Sequence, residues 1–186
     1  ALEKIAIDYE VLDPLADAEE AMRENAPKLH LSGNVLNHVH IKHGDGDAVE
    51  ADVVVRGEYE IGMQDQAFLG PESGLAVPDG EGGVDLYIAT QWLHVDQDQL
   101  VESLGLSPEM VRLTLSGVGG AFGGREDLSM QIHACMLALH TERPVKIVYD
   151  REESFYGHVH RHPAKMRYEH GATRDGKLVY VKARTV

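Results

Sequence analysis

The chain has 186 residues, 26% of them charged and 43% hydrophobic, which suits one domain or one large lobe with a core of its own. A formal net charge of −14 argues against nucleic acid and against an anionic membrane surface as partners, and it also serves plain solubility. One cysteine, Cys135, excludes an internal disulfide, and no apolar run reaches the length of a membrane span.

In chain order the pattern predicts mixed α and β structure. Ile5-Ala6-Ile7-Asp8-Tyr9 alternates like a half-buried strand. Asp17 to Arg23 reads as a short helix with acidic residues in its first turn, ended by Asn25-Ala26-Pro27. The segment through Asn34, His38, His40 and His43 is polar, and Gly44-Asp45-Gly46-Asp47 breaks it. Those histidines have no cysteine or carboxylate at zinc-finger spacing and are read as solvated. Asp52 to Ile61 alternates as a long strand. Leu75-Ala76-Val77 and Val84 to Ile88 are strands split by the turn from Pro78 to Gly83. Asp96 to Leu104 reads as a helix stopped by Gly105, and Met110 to Leu115 as a strand. Leu128, Ile132, Cys135 and Leu139 recur at helical spacing, which makes Cys135 a packed core thiol. Pro144 to Tyr149 is a strand, and Lys165 to His170 with Leu178 to Arg184 form a hairpin across Asp175-Gly176. Strands in runs with helices inserted favour an α+β fold. The chain opens at Ala1 without an initiator methionine and closes on a strand-like run. Both ends therefore read as cuts, and we expect a cytoplasmic protein of which this is one piece.

The chain is organised around Gly117-Val118-Gly119-Gly120-Ala121-Phe122-Gly123-Gly124-Arg125-Glu126-Asp127. Five glycines in eight residues let the backbone approach a ligand closely. We expect bare N–H groups and the positive end of the following helix to converge there as an anion site. Two nucleotide motifs nearly fit. A P-loop needs Lys and Ser or Thr where Arg125 and Glu126 stand, and Phe122 occupies the third glycine position of a dinucleotide fingerprint. A Gly-rich turn without a ligand is the plain alternative. Two further stretches carry polar groups at strand ends: Gly62 to Glu72, with Gln64, and His158-Val159-His160-Arg161-His162-Pro163. Histidines at alternate positions share one face of an extended run, but no carboxylate accompanies them in the sequence, so zinc is the lesser reading.

Taken together, the Gln64 stretch, Ala89-Thr90-Gln91, Gly119 to Glu126, Arg143-Pro144-Val145 and Arg161-His162-Pro163 resemble the molybdenum-binding subunit of the xanthine dehydrogenase and aldehyde oxidase family. The likeness runs from about Leu2 to the end, and the G-G-x-F-G-G-[KR]-E string is its most specific part.

The resemblance implies a molybdenum hydroxylase whose metal is held by a molybdopterin cofactor, with 2Fe–2S clusters and FAD on partner domains or subunits. In such enzymes a hydroxide attacks an electron-poor carbon and a hydride passes to a sulfido group. By the same resemblance Gln64 hydrogen-bonds the apical oxo ligand, and Gly120, Ala121, Phe122, Gly123 and Gly124 form the turn against the metal centre. Glu126 matches the glutamate that orients a purine, which points to xanthine or hypoxanthine; aldehydes or other N-heterocycles are the alternative, and a non-catalytic phosphate- or nucleotide-binding module is the alternative from another class. Ala121 replaces a family glycine and Arg125 a family lysine. The family's general-base glutamate, its substrate arginine and much of its pterin surface have no counterpart here. Residues 1–186 are thus expected to be part of a molybdopterin-binding domain, inactive alone.

Overall fold

A computed structural model describes residues 2–186. In chain order its elements are α1 (Ala18–Ala21), β1 (Val53–Ile61), β2 (Ser73–Pro78), β3 (Val84–Ile88), α2 (Leu93–Leu104), β4 (Val111–Leu115), α3 (Gln131–Thr141), β5 (Val145–Val148), α4 (Arg151–Gly157), β6 (Ala164–Ala172) and β7 (Leu178–Thr185). Single turns of 3-10 helix lie at Leu2–Lys4 and Pro108–Met110. The fold is α+β, and the chain forms two compact units, Ile61–Pro163 and Ala1–Glu60 with Ala164–Val186.

The unit Ile61–Pro163 holds a mixed four-stranded sheet in the order β4-β3-β2-β5. β3 and β4 run parallel, with Val84 opposite Val111 and Ile88 opposite Leu115, because α2 carries the chain back between them. β2 pairs antiparallel with both β3 and β5. Alternation along β2 and β3 places Ala76, Val84, Leu86 and Ile88 on the face covered by Leu100 of α2 and by Met130, Ala134, Cys135 and Ala138 on and before α3. Each larger apolar side chain buried there contributes about 1.5–3 kcal/mol. Burial pushes the Cys135 thiol up to about 12, as befits a packed core thiol. Asp79 closes the turn between β2 and β3, its Oδ1 accepting the N–H groups of Glu81 and Gly83, each at 2.8 Å.

The other unit is a sheet in the order β1-β6-β7. β6 and β7 form the expected hairpin, with Met166 opposite Thr185 and a bulge at Gly171/Ala172. Glu169 Oε2 takes a 2.6 Å contact from Arg56 Nε, and its Oε1 accepts from the Tyr180 hydroxyl at 2.9 Å. Asp17 caps α1 by accepting from the Glu20 N–H at 2.8 Å.

Three sequence expectations need correction, and one helix is new. Ile5 to Tyr9 is irregular rather than a strand, since alternation without a pairing partner leaves Ile5, Ile7 and Tyr9 exposed. Helix α2 starts at Leu93, so Asp96 lies inside its first turn, fully buried. The helix after the glycine loop starts at Gln131, because Arg125 to Met130 first make turns that seat Arg125. Helix α4 escaped the sequence reading although Asp150 and Glu153 form a capping box at its start.

Candidate functional site

Three segments of the unit Ile61–Pro163 meet at one place. Gln64 and Arg161 form an isolated antiparallel bridge, with Arg161 N–H donating to Gln64 O at 2.9 Å and Gln64 N–H to Arg161 O at 3.3 Å. The glycine loop is tied from the side by Gln91, whose Oε1 accepts from Gly123 N–H at 2.9 Å and from Arg125 N–H at 3.4 Å. Gln91 N–H and the Thr90 hydroxyl donate in turn to Arg125 O, at 2.9 and 3.1 Å. Arg125 is buried, and its guanidinium donates to Gly70 O at 2.5 Å and lies 4.4 Å from the centre of the Phe68 ring. Desolvation lowers its pKa, and the nearby Glu72 charge opposes that shift. Arg151 grips the same segment through the carbonyls of Phe68 and Leu69, at 2.8 and 2.7 Å. Arg125 thus fastens the Gln64 segment to the loop, and Arg151 fastens it to α4.

The result is a cleft of about 490 Å³ whose lining includes Gln64, Gln66, Phe122, Gly123, Glu126 and His160. Of the residues singled out from sequence, Gln64, Phe122, Gly123 and Glu126 line it together, although they come from distant parts of the chain. Gly120, Ala121 and Gly124 stand behind them: Ala121 and Gly124 are buried, and Gly124 N–H donates to Ala121 O at 2.9 Å. Backbone strain gathers here. Phe122 (φ 53°) and Ala67 (φ 47°) are two of the three non-glycine residues with left-handed φ among those described. Such strain costs about 1–3 kcal/mol per residue and clusters at functional sites. The Phe122 ring is 77% exposed at the cleft.

The helix dipole expected at the loop is displaced from it. The N–H groups of Gly123, Gly124 and Arg125 are spent inside the chain, and the first residue of α3 lies well beyond the loop. The helix dipole is thus not offered there, and any N–H groups for an anion belong to the part of the loop before Gly123.

Sequence reasoning missed the carboxylates beside the histidines. His158 Nε2 and His160 Nε2 each lie 3.1 Å from Asp65 Oδ2, and His158 Nδ1 lies 3.0 Å from Glu72 Oε1. No local spacing could reveal this, because Asp65 and Glu72 reach the histidines only through the Gln64–Arg161 bridge. His38, His40 and His43 stay exposed, as expected.

Comparison with known proteins decides the family. The family model described as Molybdopterin cofactor-binding domain matches residues 28–186. The chain belongs to that family. It is 37% identical over 184 residues to the Nicotinate dehydrogenase large molybdopterin subunit of Eubacterium barkeri, covering 98% of this chain and 43% of that protein. It is 36% identical over 181 residues to a probable xanthine dehydrogenase subunit of Bacillus subtilis (strain 168), covering 96% of this chain and 24% of that one. The chain thus spans less than half the length of either relative. Its fold matches that of the aldehyde oxidoreductase from Desulfovibrio gigas with a TM-score of 0.87 at 24% identity, over 98% of this chain and 21% of that one. Among the described residues no helix is long and apolar enough to cross a membrane.

Proposed function

We propose that this chain is part of the cofactor-binding domain of a molybdenum hydroxylase that oxidises an N-heterocycle, with a purine such as xanthine or hypoxanthine as the substrate class. The observation that carries the reading is the meeting of Gln64, Phe122, Gly123 and Glu126 in one cleft of a chain from the molybdopterin family. The residues suit such a group. A Cβ on Gly123 would stand no closer than 3.9 Å to Glu126 Oε1 and 4.0 Å to Gln66 Nε2, so the bare glycine leaves room over the turn. Gln66 Oε1 is buried there without a hydrogen-bond partner.

Molybdenum–molybdopterin, when bound, would supply the two-electron oxidation, and 2Fe–2S clusters and FAD on partner domains or subunits would carry the electrons away. The chain's own part is positioning. The Gln64 amide would donate a hydrogen bond to the bound cofactor, and the turn from Gly120 to Gly124 would give it a close approach beside the Phe122 ring. Half-buried Glu126 accepts from a ring N–H or, when protonated, donates to a ring nitrogen.

A second reading has its own support. The 37%-identical relative is a nicotinate dehydrogenase, and Arg161 and His162 at the cleft would suit a heterocycle bearing a carboxylate. Aldehydes remain the contrast, since a simple aldehyde has no ring N–H or ring nitrogen for Glu126 to bond. The test is dye reduction by the intact protein with xanthine, nicotinate and benzaldehyde, alongside molybdenum content, in wild type and Glu126→Ala. The purine reading expects xanthine turnover whose kcat/KM falls about 100-fold or more in the variant at unchanged molybdenum, the size of a lost polar substrate contact. Turnover of nicotinate alone moves the substrate to the second reading, benzaldehyde alone rejects both heterocycles, and an intact protein free of molybdenum rejects the enzyme.

A further inference from the structure

We infer that Asp65, His158 and His160 form a second metal site, for a zinc-class divalent ion, that fastens the two segments flanking the cleft. Among the described residues they are the one group of three whose ligand atoms all lie within 4.8 Å of one another. The backbone explains why they meet. In an antiparallel bridge the neighbours of a pair on either side face one another, so Gln64 opposite Arg161 brings Asp65 beside His160. His158, two residues earlier on the extended run, shares a face with His160, and their rings stack at 5.0 Å with 17° between planes.

The alignment of these groups, more than their distances, suits ligands better than hydrogen-bond partners. Asp65 Oδ2 is 3.1 Å from each histidine Nε2, yet Asp65 Oδ2 and both nitrogens of His158 are buried without an aligned hydrogen bond. An ion bonded to nitrogen and oxygen at about 2.0–2.1 Å in tetrahedral geometry would hold such atoms about 3.3 Å apart, near what is found. Supporting contacts already aim the donors. Asp65 Oδ1 accepts from Ala67 N–H at 2.6 Å, which turns Oδ2 toward the rings. Glu72 Oε1 lies 3.0 Å from His158 Nδ1 and favours the tautomer that leaves Nε2 free for a metal. His158 presents only 1% of its side chain to solvent, and Phe68 packs against it at 5.0 Å. One bond opposes the arrangement: His160 Nε2 also lies 2.9 Å from Phe155 O, and an ion would take the nitrogen from that carbonyl.

Two imidazoles and one carboxylate are a common zinc set, and with Glu72 beside them two carboxylates balance a divalent charge. The ion would be held by the lone pair on Nε2 of each histidine and by the Asp65 carboxylate. The role is structural: the ion would tie residues 64–66 to residues 158–162. This inference stands apart from the substrate proposed above.

The experiment is metal analysis of the intact protein, incubated with excess Zn²⁺ and passed through a weak chelating resin. Wild type is expected to keep about one zinc per chain, and Asp65→Asn and His160→Gln each to keep less than about a tenth, as for a site that has lost one of three ligands. X-ray absorption at the zinc edge should show imidazole and oxygen scatterers without sulfur, which excludes Cys135. Wild type free of zinc, zinc unchanged in both variants, or a sulfur shell each overturns the inference. If the variants fail to accumulate, the wild-type content and edge spectrum decide alone.

Discussion

At the scale of single residues, two buried positions carry predictions with opposite signs. Gly124 sits where a Cβ would lie 2.7 Å from Phe68 Cε1, 3.1 Å from Gln66 Oε1 and 3.2 Å from Ala121 O. Phe68 is fully buried beneath Arg125 and His158, so its ring has nowhere to retreat. Gly124→Ala should therefore cost about 1–3 kcal/mol by overpacking. Denaturant unfolding of the intact protein measures it, and wild-type stability would show that the loop can slide. Asp96 behaves the other way. Burial is the largest influence on it and raises its pKa, the Asp127 charge adds to the rise, and hydrogen bonds from Thr90 and Gln131 resist. A carboxyl whose folded pKa is raised adds stability below the unfolded pKa of about 4 and loses it as pH rises through the folded value. Ionising it as pH rises leaves a poorly solvated carboxylate, with Oδ1 unpartnered. Asp96→Asn is expected to raise Tm at pH 7 and to lose that advantage below about pH 4. Thermal melts at both pH values decide, and an equal shift at each would show that charge burial is not the cause.

At the scale of elements, the loop's shape rests on Gln91 rather than on the glycines alone. Its carbonyl oxygen is the acceptor for both Gly123 and Arg125 N–H. Gln91→Ala should cost about 1 kcal/mol and loosen the turn, whereas Gln91→Glu keeps an acceptor but adds a negative charge beside the space proposed for an anionic cofactor. We expect both variants to lose molybdenum, but only the alanine variant to lose stability. Metal content and unfolding midpoints together separate these effects. The same loop shows what sequence could and could not yield. Its glycine spacing marked the turn, and Gln64, Phe122, Gly123 and Glu126 were all legible and do share a cleft. Local periodicity also gave β3, β5 and the β6–β7 hairpin, since those patterns are written in adjacent residues. What failed depends on remote partners. Ile5 to Tyr9 alternates without a neighbour to pair with, and Arg125 bends the chain toward Gly70 before α3 can start. The Asp65–histidine cluster exists only after the bridge forms. Helix α4 is different: Asp150 and Glu153 stood at capping-box spacing and signalled it.

At the scale of the whole molecule, burial is shared unevenly between the two units. Among the described residues, every buried apolar residue of the core lies between Phe68 and Ala138, within the unit Ile61–Pro163. The other unit leaves Leu31 and Leu36 wholly exposed and Tyr9, Val11 and Ile41 more than three-quarters exposed. Its sheet order β1-β6-β7 also leaves β1 and β7 as edges, each a row of backbone groups open to pairing. Apolar side chains at this density on a surface mark contact with further protein. The relatives are long enough to supply it, since the chain spans 43% of the nicotinate dehydrogenase subunit. Residues 1–186 are thus proposed to be one part of a larger molybdopterin-binding domain, and the proposal has a measurable consequence. Prepared alone, the chain should self-associate as its concentration rises and retain below roughly a tenth of an equivalent of molybdenum, because the remaining binding surface is absent. Within the intact protein the same residues should be protected and the metal retained. Sedimentation of the isolated chain, paired with metal content of both forms, makes the comparison. A monomeric 186-residue chain that holds molybdenum stoichiometrically would show that its own cleft suffices and that the exposed apolar face serves some other contact.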